Sequence, residues 1–341
     1  MKILYGIQGT GHGHISRARE IVPLLADRAE VDVLISGYNC NMTLEDVQIT
    51  HKRGLSLTYD SKGSVSYLQT ALNIQPVRFL QDVTSINPDK YDLVISDYEP
   101  VTAWAAFNSK VPCVGLSHQA SFLSEKCPRP AKRSIFAEQI LRHFAPCNHP
   151  IGFHFRQYDS FILPPIIRRG VRNLETTSGN HVTVYLPAFD HETLVSLFTQ
   201  CESVNWHLFS PLCSKAYSRN NVTVFPVGNE PFLKSMRTGY GVVTSAGFET
   251  CAEAMYLGKK LLVIPIRNQY EQACNAAALE QLGIHVINTI GPDFSSRINT
   301  WLSDAPIVEL TDIADTEELT DKLIRFAGRR SSVRKRKADI L

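Results

Sequence analysis

Short, nearly unbroken apolar runs alternate with amphipathic stretches along most of the chain. Residues 2–7 (KILYGI) read as a buried strand, and 14–27 carry Ile15, Ala18, Ile21, Val22 and Leu25 at helical spacing. A strand at 31–36, a strand at 91–96 (YDLVIS), a helix at 101–109 and a strand at 112–117 (PCVGLS) continue the series. The pattern weakens between 40 and 85, where it predicts short strands, a loop near Lys62-Gly63-Ser64 and one helix. Beyond Pro164-Pro165 and a polar stretch at 168–180 a second series opens. It runs strand 181–186, helix 191–200, strands 205–209 and 221–225, helix 230–236, strand 240–244, a helix from Phe248, strand 260–266 and helix 269–282. Apolar strands separated by helices imply parallel sheets covered on both faces. The predicted architecture is α/β, with two doubly wound Rossmann-like domains facing across a cleft. Their expected bounds are 1–160 and 181–315, joined by a linker at 161–180 and followed by a helix within 316–341 that ends in a mobile basic tail.

Length suits this division, since 341 residues give each half its own core. A net charge of +2 does not call for nucleic acid, and no apolar run reaches the roughly 18–20 residues of a membrane span. Eight cysteines without a CxxC pair suit reduced thiols and a cytoplasmic setting. The start, MKILYGIQGTG, enters a strand directly and does not read as a signal peptide.

Chemistry concentrates at two strand-to-helix turns. In the first, Gly9-Thr10-Gly11-His12-Gly13-His14 lets the backbone turn sharply and places two histidines at the sheet mouth. It is not a GxGxxG fingerprint, because no third glycine follows at the required distance. A neutral imidazole there accepts a proton from an attacking hydroxyl near pH 7. His14, at the helix opening, is the stronger candidate over His12. Asp97 ends the strand in VISDYEP and either orients the histidine or caps the helix beginning near Pro100, for which Glu99 is the better placed cap. His118 has the same location and a weaker case.

In the second turn, Ser245-Ala246-Gly247 leads into Phe248-Glu249-Thr250. Backbone N–H groups and the positive end of the helix dipole suit a phosphate there. Glu249 and Glu253 share a helix face, with Glu253 assigned to ribose hydroxyls, while Glu271 and Gln272 follow the next strand and suit sugar hydroxyls. Asn275 reads as a structural amide, and the main chain at Val227 is placed to read a base. Residues 126–142 mix Lys and Arg with Phe136, Ile140 and Leu141, which fits either an anionic membrane surface or a solvated helix.

GTGHGHISRA at 9–18 and TSAGFETCAEAMYLGKKLLVIPIRNQYEQACNAAALEQLG at 244–283 together resemble the GT-B glycosyltransferases. The group resembled is the one akin to the lipid II-forming N-acetylglucosaminyltransferase and the wider UDP-glycosyltransferases. VISDYEP, PCVGLSHQ and PPIIR are similar to an uncharacterised branch of it. The resemblance implies an acceptor in the first domain and a nucleotide-sugar, UDP-linked, in the second. Gly11 and His12 then border the donor, Phe248, Glu249 and Thr250 hold its diphosphate, and His14 is the base of an inverting displacement. No DxD pair stands in a suitable loop, so neither a metal nor another cofactor is expected. Leu186-Pro187-Ala188-Phe189 replaces the glycine-rich loop with which several relatives open the second domain. Two other readings remain open: a nucleotide-sugar hydrolase, on the strength of Gly13-His14-Ile15-Ser16-Arg17, and a non-catalytic nucleotide-sugar or nucleic-acid binder using the basic tail. The implied setting is cytoplasmic, with peripheral contact at the inner face of the cell membrane.

Overall fold

The computed structural model describes residues 1–10, 12–37, 47–55 and 75–338, the side chains of His12 and of 330–338 excepted. The apolar runs fold as strands. In the first half β1 (Lys2–Gln8), β2 (Glu30–Ser36), β3 (Ile49–Lys52), β4 (Leu93–Asp97), β5 (Cys113–Ser117), β6 (His149–Phe153) and β7 (Ile162–Leu163) form one sheet. Their order is β3-β2-β1-β4-β5-β6-β7, with every neighbour parallel. Helices α1 (His12–Ala26), α2 (Pro76–Thr84), α3 (Pro100–Asn108) and α4 (Ile135–His143) make the crossovers or cover the faces. The chain leaves β1 toward β2 and returns to its other side at β4. That reversal opens a crevice at the carboxyl ends, where ligands bind in such sheets.

The short α5 (Arg169–Arg172) lies on the way to the second sheet. That sheet comprises β8 (His181–Tyr185), β9 (Asn205–Ser210), β10 (Tyr217–Arg219), β11 (Val222–Pro226), β12 (Gly241–Thr244), β13 (Lys260–Val263) and β14 (His285–Val286). Its order is β10-β11-β9-β8-β12-β13-β14, parallel except for the β10–β11 edge, and its reversal falls between β8 and β12. Helices α6 (His191–Phe198), α7 (Asn229–Thr238), α8 (Phe248–Tyr256), α9 (Tyr270–Gln281) and α10 (Phe294–Asp304) accompany it.

Two features depart from the sequence expectation. Ile162 and Leu163 still pair with Gly152 and Phe153, so the first sheet extends past 160. The last helix, α11 (Thr316–Ala338), runs through most of the stretch expected to be a mobile tail. It crosses back to the first half: Arg28, in the turn after α1, pairs with Glu317 and Asp321, and Phe326 contacts His149 edge-on. Leu319, Leu323 and Ala327 join a core cluster that runs from Ile3 and Ala18 to Val242 and Cys251. The Ala314 N–H donates to the Pro165 carbonyl at 2.9 Å, so the two segments that connect the halves lie side by side. The predicted loop at 62–64 lies outside the described residues.

One half-buried histidine of the second half, His207, has a depressed pKa. His181 and His207 stack at 3.9 Å against α7 and both hydrogen-bond Ser235, whose hydroxyl also meets that of Thr183. Burial, reinforced by the neighbouring His181, pushes the His207 pKa down from 6.5 to about 4. Between those values the folded form binds fewer protons than the unfolded chain, so stability falls as pH drops from 6.5 toward 4. Thermal unfolding across that window should show the decline, and His207→Gln should flatten it. An unchanged slope in the variant would assign the decline to other groups.

Candidate active site

His14 and Arg17 stand one turn apart on α1, and both reach Asp97, the last residue of β4. His14 Nδ1 lies 2.6 Å from Asp97 Oδ1, while the Arg17 guanidinium donates to both carboxylate oxygens at 2.8 and 2.7 Å. Asp97 is completely buried. Burial works against its charge, but Arg17 and His14 outweigh that effect and hold the carboxyl below the ordinary 3.8. An ionised carboxylate accepts only, so Nδ1 carries the imidazole proton and the Nε2 lone pair faces outward. It looks toward the Gln119 amide nitrogen at 3.5 Å.

The turn after β4 makes this arrangement possible. Tyr98 takes φ 53°, the left-handed region that side chains rarely enter, and this lets Asp97 and Glu99 face different ways. Glu99 caps α3 through the N–H groups of Val101 and Thr102, both at 2.7 Å. The capping role open to Asp97 thus belongs to Glu99.

Across the crevice, β12 ends at Thr244 and the Ser245-Ala246-Gly247 turn opens α8, which no side chain caps. Its first-turn N–H groups have no partner within the helix, and the dipole's positive end is directed with them. Asn275 of α9 pins the turn by donating to the Ala246 carbonyl at 3.0 Å, and its oxygen meets His118 Nε2 at 2.7 Å. His118 also stacks flat on Phe248, with ring centroids 4.0 Å apart. Gln119 donates to Glu271 at 3.0 Å, and its own buried oxygen has no partner among the described residues. Arg17 Nη1 donates to Glu249 Oε1 at 2.7 Å. The catalytic candidates of the first half and the carboxylates of the second are therefore in direct contact.

The remaining sequence candidates are placed as follows. Ser245 and Phe248 are buried, and Gly247 and Thr250 are partly so, all around the start of α8. Glu253 is buried and held in a fork by Arg168 at 2.5 and 2.7 Å, and Arg168 also donates to Asn229. Burial raises the Glu253 carboxyl, with Arg168 opposing. Val227 is exposed just beyond β11. Gln272 departs from expectation: its amide oxygen accepts from the Ile266 N–H at 2.8 Å, so it braces its own turn and only its nitrogen remains to meet a sugar. Gly11 lies outside the described residues, and His12 starts α1 with its side chain likewise outside them. Sequence reasoning missed Arg17, Gln119 and Arg168. Arg17 left a signal in its three-residue spacing from His14, and Gln119 and Arg168 close the quoted segments PCVGLSHQ and PPIIR.

Two doubly wound sheets that meet at the carboxyl ends of their strands, with a His–Asp pair on one side and an uncapped helix on the other, form a GT-B glycosyltransferase. The model of "Glycosyl transferase family 1" matches residues 1–306, and the chain belongs to that family. Among solved structures it is similar to the glycosyltransferase SnogD from Streptomyces nogalater (16% identity, TM-score 0.56, covering 95% of this chain and 99% of that one). It is also similar to the Acinetobacter baumannii MurG (14%, TM-score 0.60, 95% and 99%) and to LpCGTa in complex with UDP (13%, TM-score 0.60, 96% and 99%). No curated protein matches the chain by sequence.

Proposed function

We propose that this glycosyltransferase moves a sugar from a nucleotide-sugar, UDP-linked, to a hydroxyl acceptor with inversion and without a metal. The observation that carries the reading is the His14 Nε2 lone pair, backed by Asp97 and facing the crevice opposite the uncapped start of α8. His14 takes the acceptor proton as the bond to the diphosphate breaks, and the first turn of α8 with Arg17 meets the charge that develops on the leaving group. Glu253 takes the ribose and Glu271 the sugar. The UDP bound by the similar LpCGTa supports a nucleotide in this crevice.

The acceptor side supports a lipid-linked or envelope glycan. Ile135 and Phe136 at the start of α4 are 81% and 63% exposed beside Lys132 and Arg133, a pairing suited to an anionic bilayer surface. Among the described residues no helix is long and apolar enough to cross a membrane.

A second reading, hydrolysis of the nucleotide-sugar, draws on Gln119, whose amide sits 3.5 Å from the base and favours a small nucleophile such as water. A thermal-shift screen of nucleotides and nucleotide-sugars tests the donor, because a ligand of the native state raises its stability with affinity. The expected result is a larger shift with UDP-sugars than with other nucleotide-sugars, and no shift with any of them would remove the donor reading. Fast release of free sugar in the absence of acceptor would favour the hydrolase.

A further inference from the structure

Glu249 presents a puzzle of charge. It is the second residue of α8, so its carboxylate belongs to the same helix end whose N–H groups suit a phosphate. It is only partly open to water: its side chain is 28% exposed and receives the Arg17 guanidinium at 2.7 Å. It also rests directly over Gly13. A methyl group built on Gly13 would fall 2.4 Å from Glu249 Oε2 and within 3 Å of the other carboxylate atoms. Gly13, Arg17 and the start of α8 thus enclose a seat shaped for a small anion, and this chain's own carboxylate sits in it.

We propose that Glu249 is an internal stand-in for the donor diphosphate, and that the incoming diphosphate displaces it and takes over Arg17. The inference rests on the donor reading above and deepens it. Arg17 is almost wholly buried and already holds both oxygens of Asp97, which leaves Nη1 as the arm directed at the second half. A guanidinium is fixed in its charge, and its fork suits carboxylate and phosphate alike. Exchange of one anion for another at Nη1 therefore preserves the Arg17–Asp97–His14 assembly. Before the exchange Glu249 bridges the two halves through Arg17. After it, the same arginine bridges the halves through the substrate, and the displaced Glu249 is free to turn toward solvent. Donor binding and the seating of the catalytic histidine thereby share one cation. Because an occupied seat reduces the competent fraction, Glu249 weakens apparent donor affinity in proportion to its occupancy.

The sign of the effect makes the test decisive. Binding of UDP, dTDP, GDP and inorganic pyrophosphate is measured by titration calorimetry on the full chain, with uridine, thymidine and guanosine as controls. Glu249→Gln keeps the size of the side chain and removes its charge. It is expected to tighten the nucleoside diphosphate that the wild type binds by about 3–10-fold, leaving the nucleoside unchanged. Gly13→Ala fills the seat and should weaken the diphosphate by about 10-fold or more, and Arg17→Gln should weaken it by about 10–100-fold. Should Arg17→Gln fail to fold, the other two variants still decide. Weaker or unchanged binding in Glu249→Gln would make Glu249 a direct ligand contact or a bystander, and would overturn the inference while leaving the donor reading standing. If the wild type binds none of the three nucleoside diphosphates, the donor reading and the stand-in fall together.

Discussion

Replacement of His14 by alanine is expected to lower turnover by about 10²–10⁴-fold, the usual worth of a general base, while nucleotide affinity stays within about threefold. The split follows from position. His14 offers Nε2 to the crevice, and its other nitrogen is committed to Asp97 in the first half. Of the diphosphate and ribose candidates, Gly247–Thr250 and Glu253 belong to the second half, and Arg17 is held by its own hydrogen bonds to Asp97. Removing the imidazole also leaves the Asp97 carboxylate with both of its Arg17 hydrogen bonds, so the buried charge remains compensated and the fold should hold. Steady-state kinetics together with a direct titration of nucleotide would separate the two quantities. An equal loss of turnover and affinity would make His14 a structural histidine.

The second large effect concerns stability. Glu99→Ala is expected to destabilise the protein by about 3–5 kcal/mol, because several buried donors lose their acceptor together. Besides capping Val101 and Thr102, the Glu99 carboxylate accepts from the Thr102 hydroxyl at 2.6 Å and the Ser36 hydroxyl at 2.5 Å. Burial raises its pKa, and these same hydrogen bonds pull it back. Through Ser36 it ties the carboxyl end of β2 to the start of α3, and through its own backbone it fixes the turn that presents Asp97. Chemical denaturation of the variant would measure the loss. A change below about 1 kcal/mol would show that water replaces the carboxylate and that the network is not a structural node.

The distinction between Asp97 and Glu99 shows what the sequence could and could not convey. VISDYEP announced a buried strand ending in acids, and strand–helix alternation announced both sheets, because burial and period are local properties. Which acid capped and which paired depended on Tyr98 adopting a left-handed backbone, and nothing in its side chain requires that. The α8 turn was legible from its small residues. The Arg17–Glu249 pair was not, because its members lie 232 residues apart and meet only through the packing of two halves. Gln272 misled for the opposite reason. An amide after a strand suits a sugar hydroxyl and a nearby main-chain N–H equally, and the local turn took its oxygen. The terminal helix over Leu319 and Leu323 was legible from its apolar spacing, whereas the stretch from Arg329 was read as loose from its charge and instead continues that helix to Ala338.

That returning helix bears on how the two halves can move. They are joined twice, at 164–180 and again before Thr316, and the connections touch through Ala314 and Pro165. Two strands of chain fastened at one place act as the knuckles of a door on a single pin. A swing about that line would keep the connection intact, whereas sliding or twisting across it would break the Ala314–Pro165 hydrogen bond. Such a swing would part the cross-crevice contacts, Arg17 with Glu249 and Gln119 with Glu271, in concert, and the width of the crevice would then follow one angular coordinate.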